Sequence, residues 1–399
     1  MPDYEARHII EAMRSGVPSR TVGRCFSEAR PNLMRHIQER LDKAQKGESS
    51  GMIIRGRYGE GKTHLLNTVL SMAYERNMVV TMLPLSLESP MDKLHVLYPA
   101  LVSHTYLPGR EQPGFLDRMK GLSVSAPPSI ELQEFARDQL DCDKLYYLFR
   151  AYLKNMDNDE AEFVLRADLE GGFMTTAAVK KIYRSTFHEI AKIRTNFAKT
   201  QHTMDYLFFL SQFFRIMGYQ GWVILFDEAE LMGRLGKRAR LNFYRNMASF
   251  LMPDRRLIRT FSLFAFTDSY VSEVIEHKHD WKNLAELFPD NPEPMSRVMK
   301  QIENSNQLVP LTREEVGRII RRIRDFHAAA YDWQPQEMEE ELLRVADQSG
   351  YLLRTRLRAV IETLDQDYQY GSTREISVGN LQKESYAEEE TPSLESLND

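Results

Sequence analysis

The stretch Gly56-Arg57-Tyr58-Gly59-Glu60-Gly61-Lys62-Thr63-His64-Leu65-Leu66 follows a short apolar run, Gly51 to Ile54. The run reads as a buried strand that ends in a glycine-rich turn. After the turn, Leu65, Leu66, Val69, Met72 and Ala73 recur at helical spacing, and Asn77 can end that helix. Met78 to Leu83 is a second strand. Strand, glycine turn, helix and strand make a βαβ unit, which requires a parallel sheet. The expected fold class is therefore α/β.

Gly56-x-x-x-x-Gly61-Lys62-Thr63 matches the P-loop pattern in full. Glycines let backbone N–H groups converge on phosphate oxygens, and the following helix adds a positive dipole end. Lys62 would reach the β- and γ-phosphates of ATP, and the Thr63 hydroxyl would bind Mg²⁺. The nucleotide-binding set is Gly56, Gly59, Glu60, Gly61, Lys62, Thr63 and His64. Arg57 and Glu60 are charges inside the loop, at positions whose side chains can point outward.

A Mg²⁺ site also needs a carboxylate. Trp222 to Phe226 reads as a buried strand with Asp227 at its carboxyl end, the edge where parallel sheets bind ligands. Asp227 is the expected metal partner of Thr63. Glu228 follows as the expected base that orients and deprotonates a water. The tetrapeptide Asp227-Glu228-Ala229-Glu230 also fits a helicase box, but no second α/β domain follows residue 270. A strand over Ser262 to Ser269 brings Thr267, with Asp268 as the alternative, to the γ-phosphate. Arg354, or else Arg356, would sense that phosphate from a helix starting near 352. Arg297 would reach a neighbouring subunit's nucleotide. Each arginine is equally well read as a solvated helix residue.

The sequence divides into four expected segments. Residues 1–48 form an N-terminal helical segment, and 49–311 form a P-loop α/β domain with a helical insertion at about 86–220. Residues 312–370 form a helical lid opening on a Thr312/Glu315 capping box, and 371–399 form an acidic tail. Asn306 to Leu311 is the expected last strand.

Composition sets outer limits. Charged residues make up 27% of 399 residues and the net charge is −5, which argues against coating nucleic acid by bulk charge. No apolar run approaches the ~20 residues of a membrane span, and the expected location is the cytoplasm. Cys25 and Cys142 are the only cysteines and read as buried apolar residues. Arg234, Lys237, Arg238 and Arg240 form a local basic cluster, read as a DNA contact, a subunit contact or a solvated face.

The order of motifs resembles AAA+ ATPases of the origin-recognition branch. More closely it resembles the ATP-binding protein family of BREX-type bacteriophage-exclusion systems. The resemblance rests on Arg7 to Gly23, Ala29 to Leu41, Arg57 to Leu66, Lys93 to Val102, Gly218 to Met232 and Leu352 to Asp365. Arg57 stands where that family suggests an acidic residue, Glu60 where it suggests a small one, and Leu353 where it suggests proline. The resemblance implies an ATPase that forms a homo-oligomer and assembles or loads a DNA-acting complex, with a helicase among the implied partners. A nucleotide-gated module with little turnover is the alternative.

Overall fold

The computed structural model describes residues 3–15, 29–110, 112–336, 338–350 and 352–371. Cys25 and the expected tail from 372 onward lie outside the described residues. The chain opens with helices α1 (Tyr4–Ser15) and α2 (Pro31–Gln45), then β1 (Ser50–Gly56), α3 (Lys62–Glu75) and β2 (Val79–Pro84). Next come α4 (Leu94–Ser103), β3 (Thr105–Tyr106), α5 (Pro127–Asp138), α6 (Lys144–Lys154), α7 (Asp159–Ala167), α8 (Thr176–Phe187) and α9 (Lys199–Ile216). Strand β4 (Trp222–Asp227), α10 (Lys237–Leu251), β5 (Thr260–Thr267), α11 (Asp280–Leu287), α12 (Glu293–Glu303) and β6 (Asn306–Gln307) follow. The last elements are α13 (Arg313–Tyr331), α14 (Glu339–Gln348) and α15 (Leu353–Tyr370).

Two compact units divide these elements. The larger comprises residues 38–55 and 72–307, and the smaller comprises 1–37, 56–71 and 308–399. The chain thus passes between units four times: within α2, at the end of β1, within α3, and after β6.

The larger unit is built on a six-stranded sheet in the order β3-β2-β4-β5-β1-β6. β4 pairs in parallel with both β2 and β5, and β1 pairs in parallel with β6. Every residue of β4 is buried, which is why it reads as an unbroken apolar run. Phe226 stacks on Phe264 of the next strand at 4.5 Å between ring centres. The two-residue β3 pairs antiparallel with β2 and was not expected. Buried hydroxyls hold it: Trp222 Nε1 donates to Thr81 Oγ1 (2.9 Å), which pairs with Thr105 Oγ1 (2.7 Å). Thr105 Oγ1 in turn donates to the Leu101 carbonyl at 2.7 Å. β6 stops at Gln307, well short of Leu311: its partner β1 ends at Gly56, and Pro310 further on has no N–H to resume a ladder. Helices α4 to α9, with β3 after the first of them, fill the chain between β2 and β4. Cys142 is buried there, and burial pushes its thiol up to about 11.

The smaller unit is a helical cluster. Ala6, Ile9, Ile10 and Met13 of α1 are buried and share one core with Val316, Ile319, Ile320 and Ile323 of α13 and Leu357, Val360, Ile361 and Leu364 of α15. Full burial of each large aliphatic side chain stabilises by ~1.5–3 kcal/mol. The polar rim is fixed as well. Arg14 grips Asp365 through two nitrogens (3.0 and 2.7 Å) and also donates to Tyr331 Oη at 3.1 Å. Trp333 Nε1 donates to His327 Nδ1 at 3.0 Å, which leaves Nε2 as the donor to Asp365 at 3.1 Å. The capping box forms as expected: Glu315 N–H donates to Thr312 Oγ1 at 3.2 Å and Thr312 N–H to Glu315 Oε2 at 2.9 Å.

Candidate functional site

The expected site residues fall in both units, and each unit is described by itself. In the smaller one, α3 begins at Lys62 directly after the glycine turn. A helix leaves its first N–H groups without intrahelical carbonyls, so this start is a donor cluster. Gly59 and Gly61 have φ of +77° and +89°, a region that side chains other than glycine rarely adopt. A Cβ at Gly59 would sit 3.1 Å from Leu352 Cδ2, and one at Gly61 would sit 3.4 Å from Leu353 Cδ2. Bare backbone here therefore serves the curve of the loop and its packing on the start of α15. Lys62 is buried, and its ammonium donates to the carbonyls of Gly56 (2.9 Å) and Arg57 (3.1 Å). The positive charge is held at the loop rather than in open solvent.

Glu60 does not point outward as expected. Its Oε2 accepts the Arg57 N–H at 2.7 Å and closes the loop on itself. Its carbonyl accepts Arg30 Nη2 at 2.8 Å. Arg30 has a left-handed backbone (φ 53°), and its N–H donates to Glu315 Oε1 at 2.8 Å. Burial alone would raise the Glu315 carboxyl, but the N–H groups of Thr312 and Arg30 outweigh it and hold it below its usual range. Sequence reading missed Arg30, because a basic residue 26 positions before Gly56 carries no motif signal. Arg57 is exposed, as expected.

His64 is partly buried, and desolvation, reinforced by the positive charge of Arg354, lowers its imidazole to about 4. It is therefore neutral at physiological pH. Arg354, in the first turn of α15, accordingly lies near the helix that the loop opens. Arg356 is held elsewhere, by Asp347 and by the Ala346 carbonyl at 3.3 Å.

In the larger unit, parallel pairing sets the carboxyl ends of β4 and β5 side by side. Asp227 closes β4 and is buried, and its Oδ1 accepts the Glu228 N–H at 2.9 Å. Glu228 is exposed and has φ of 52°, a left-handed backbone for a non-glycine residue. Such a conformation costs on the order of 1–3 kcal/mol and concentrates at functional positions. Thr267 closes β5, and its Oγ1 faces the Ser269 hydroxyl at 3.5 Å. Asp268 is tied to Gln307 Nε2 at 2.8 Å. Arg297 stands exposed on α12, lining a groove of about 560 Å³ with Arg245, Arg256, Asp141 and Glu293.

The basic cluster after β4 is not one surface. Arg240 is buried and grips Asp280 while donating to the Leu235 carbonyl at 2.6 Å, so it is withdrawn from any phosphate contact. Burying an ion pair in this way suits a core joint between α10 and α11. Arg234, Lys237 and Arg238 are exposed, and Arg238 lies over the Phe288 ring at 5.7 Å.

Among the described residues no three His, Cys, Asp or Glu side chains gather as a metal site. No helix among them is long and apolar enough to cross a membrane. A search of curated proteins finds no match. The family profile described as "BREX system ATP-binding protein BrxC/D" matches residues 1–119 and 148–375. With that span covering most of the sequence, and with an intact P-loop inside it, the chain belongs to the BrxC/D family of BREX system ATP-binding proteins.

Proposed function

We propose that the chain is an AAA+ Mg²⁺-ATPase that drives assembly or loading of a DNA-acting complex in bacteriophage defence. The family's description supports ATP as the ligand. A six-stranded, mostly parallel sheet with the Thr267 strand between the P-loop strand and the Asp227 strand supports the AAA+ reading. The donor cluster at the start of α3, with its bare glycine backbone, fits a triphosphate. Lys62 would neutralise β- and γ-phosphate charge, and Thr63 with Asp227 would hold Mg²⁺, which supplies Lewis-acid stabilisation when bound. A metal with so few protein ligands relies on phosphate and water oxygens, as Mg²⁺ commonly does. Thr267 would orient the water, and Arg354 and, from a neighbouring copy, Arg297 would meet the charge that develops on the leaving phosphate.

Hydrolysis rests on one observation: Glu228 is exposed and held in a costly left-handed backbone immediately after the buried Asp227. We read it as the residue that takes a proton from the attacking water. Glu228→Gln is expected to keep ATP affinity and to lower phosphate release by about 10²-fold or more. Turnover at the wild-type rate would remove Glu228 from this role.

A second reading, a nucleotide-gated switch with little turnover, has its own support. The loop is joined to the α13 cap through Arg30 and Glu315, and packs on Leu352 and Leu353 of the α15 start. Nucleotide contact at the loop would be felt directly by those helices. Phosphate release by the wild-type protein, with and without DNA, separates the two readings.

A further inference from the structure

The helical stretch of the larger unit carries a feature that the nucleotide reading does not use. Between residues 180 and 199 lie Lys180, Lys181, Arg184, Lys192, Arg194 and Lys199, against a single carboxylate, Glu189. All six cations are exposed. They sit in a chain whose net charge is −5, so the concentration is local. None of the six has an ion-pair partner among the described residues. Other arginines of the same unit behave differently. Arg240 is met by Asp280, Arg256 by Asp141 and Asp254, Arg166 by Glu162 and Glu170, and Arg215 by Glu131.

The local fold aims these charges. On α8, Val179 and Tyr183 are the buried residues, so Lys180, Lys181 and Arg184 face away from the core. His188 ends the helix in a left-handed conformation (φ 56°) and turns the chain back. The returning segment is fixed at two points. Lys180 Nζ donates to the Ile193 carbonyl at 3.2 Å, and Asp143 accepts the N–H groups of Arg194 (2.7 Å) and Thr195 (3.2 Å). Helix and segment frame a groove of about 590 Å³ lined by Lys180, Lys181, Arg184, Ser185, Ile190 and Ala191.

We propose that this groove and its basic rim dock the phosphate backbone of duplex DNA. The charge pattern selects a polyanion over a folded protein partner, because protein interfaces are depleted in lysine and centred on apolar anchors. Here Ile190 is the one exposed large apolar side chain lining the groove. The aromatics beneath select a duplex over a single strand, which needs rings free for base stacking. Tyr183 is packed edge-on against Tyr147 (5.1 Å) and at a tilt against Phe187 (4.6 Å). The Arg150 guanidinium covers Phe187 at 4.9 Å and donates to Tyr183 Oη at 2.8 Å. The rings are consumed by the core, and the cations are what remains on offer.

This docking surface stands independently of ATP hydrolysis, and its test keeps the two apart. Lys181→Glu, Arg184→Glu and Lys192→Glu are combined in the full-length protein, sparing Lys180, which holds the returning segment. Binding to a labelled duplex of ~30 base pairs is followed by fluorescence anisotropy across a salt series. The triple variant is expected to lose about tenfold or more in affinity, and its log K against log salt slope is expected to flatten by about 2–3. MgATP affinity, measured in parallel, is expected to be unchanged. A control pair of exposed lysines elsewhere in the same unit, Lys43→Glu and Lys282→Glu, is expected to bind DNA as wild type does. A triple variant with wild-type affinity and slope would overturn the proposal. So would a wild-type protein that binds no duplex at low salt, or a control pair that loses as much as the triple variant.

Discussion

Glu228 combines an exposed side chain with a backbone that a glycine would adopt at less cost. A Glu228→Gly change removes the Cβ clash of ~1–2 kcal/mol, less ~0.5–1 kcal/mol of extra chain entropy in the unfolded state. Chemical denaturation should find this variant ~0.5–1 kcal/mol more stable than wild type, with phosphate release abolished. Glu228→Gln should leave stability unchanged. A glycine variant less stable than wild type would mean that no strain is stored there. The helix that starts at Lys62 and the strand that ends at Asp227 were legible in the sequence, because a glycine-spaced turn and an unbroken apolar run are local patterns. The left-handed turn at Glu228 was not, since nothing in Asp-Glu-Ala-Glu specifies φ. The role of Glu60 was equally hidden: a charge is visible in sequence, but its bond to the Arg57 N–H exists only once the loop has curled.

Among the elements, β4 and β5 were readable because strands covered on both faces must be apolar throughout. The two-residue β3 was not, because its pairing depends on Thr81, 24 residues back in sequence. Helix α1 shows the same limit. Its apolar stripe states that something covers it, but the partners, α13 and α15, lie some 300 residues on. The cap of α13 was legible because both of its partners sit within four residues. Thr312→Ala should cost ~1 kcal/mol by removing that cap. Ile320→Ala, at a fully buried position in the core shared by α1, α13 and α15, should cost ~2–5 kcal/mol by leaving a cavity. Thermal unfolding of the two variants checks the ranking. Equal losses would show that the shared core is slack around Ile320.

At the scale of the whole molecule, a ligand that binds only the folded chain stabilises it by mass action. MgATP at a hundred times its dissociation constant should add ~2.7 kcal/mol. Lys62→Ala should lack that shift while unfolding normally without nucleotide, which a thermal scan with and without MgATP reads directly. The interleaving of the two units has a consequence for synthesis. The P-loop and α1 leave the ribosome early, but α13 and α15, which complete their core, come only after residues 72–307 have been made. At ~5–20 residues per second that interval is on the order of tens of seconds. For that time the nascent chain carries a P-loop with Leu352, Leu353 and Glu315 still unborn, so the nucleotide loop is the first motif translated and among the last to be assembled.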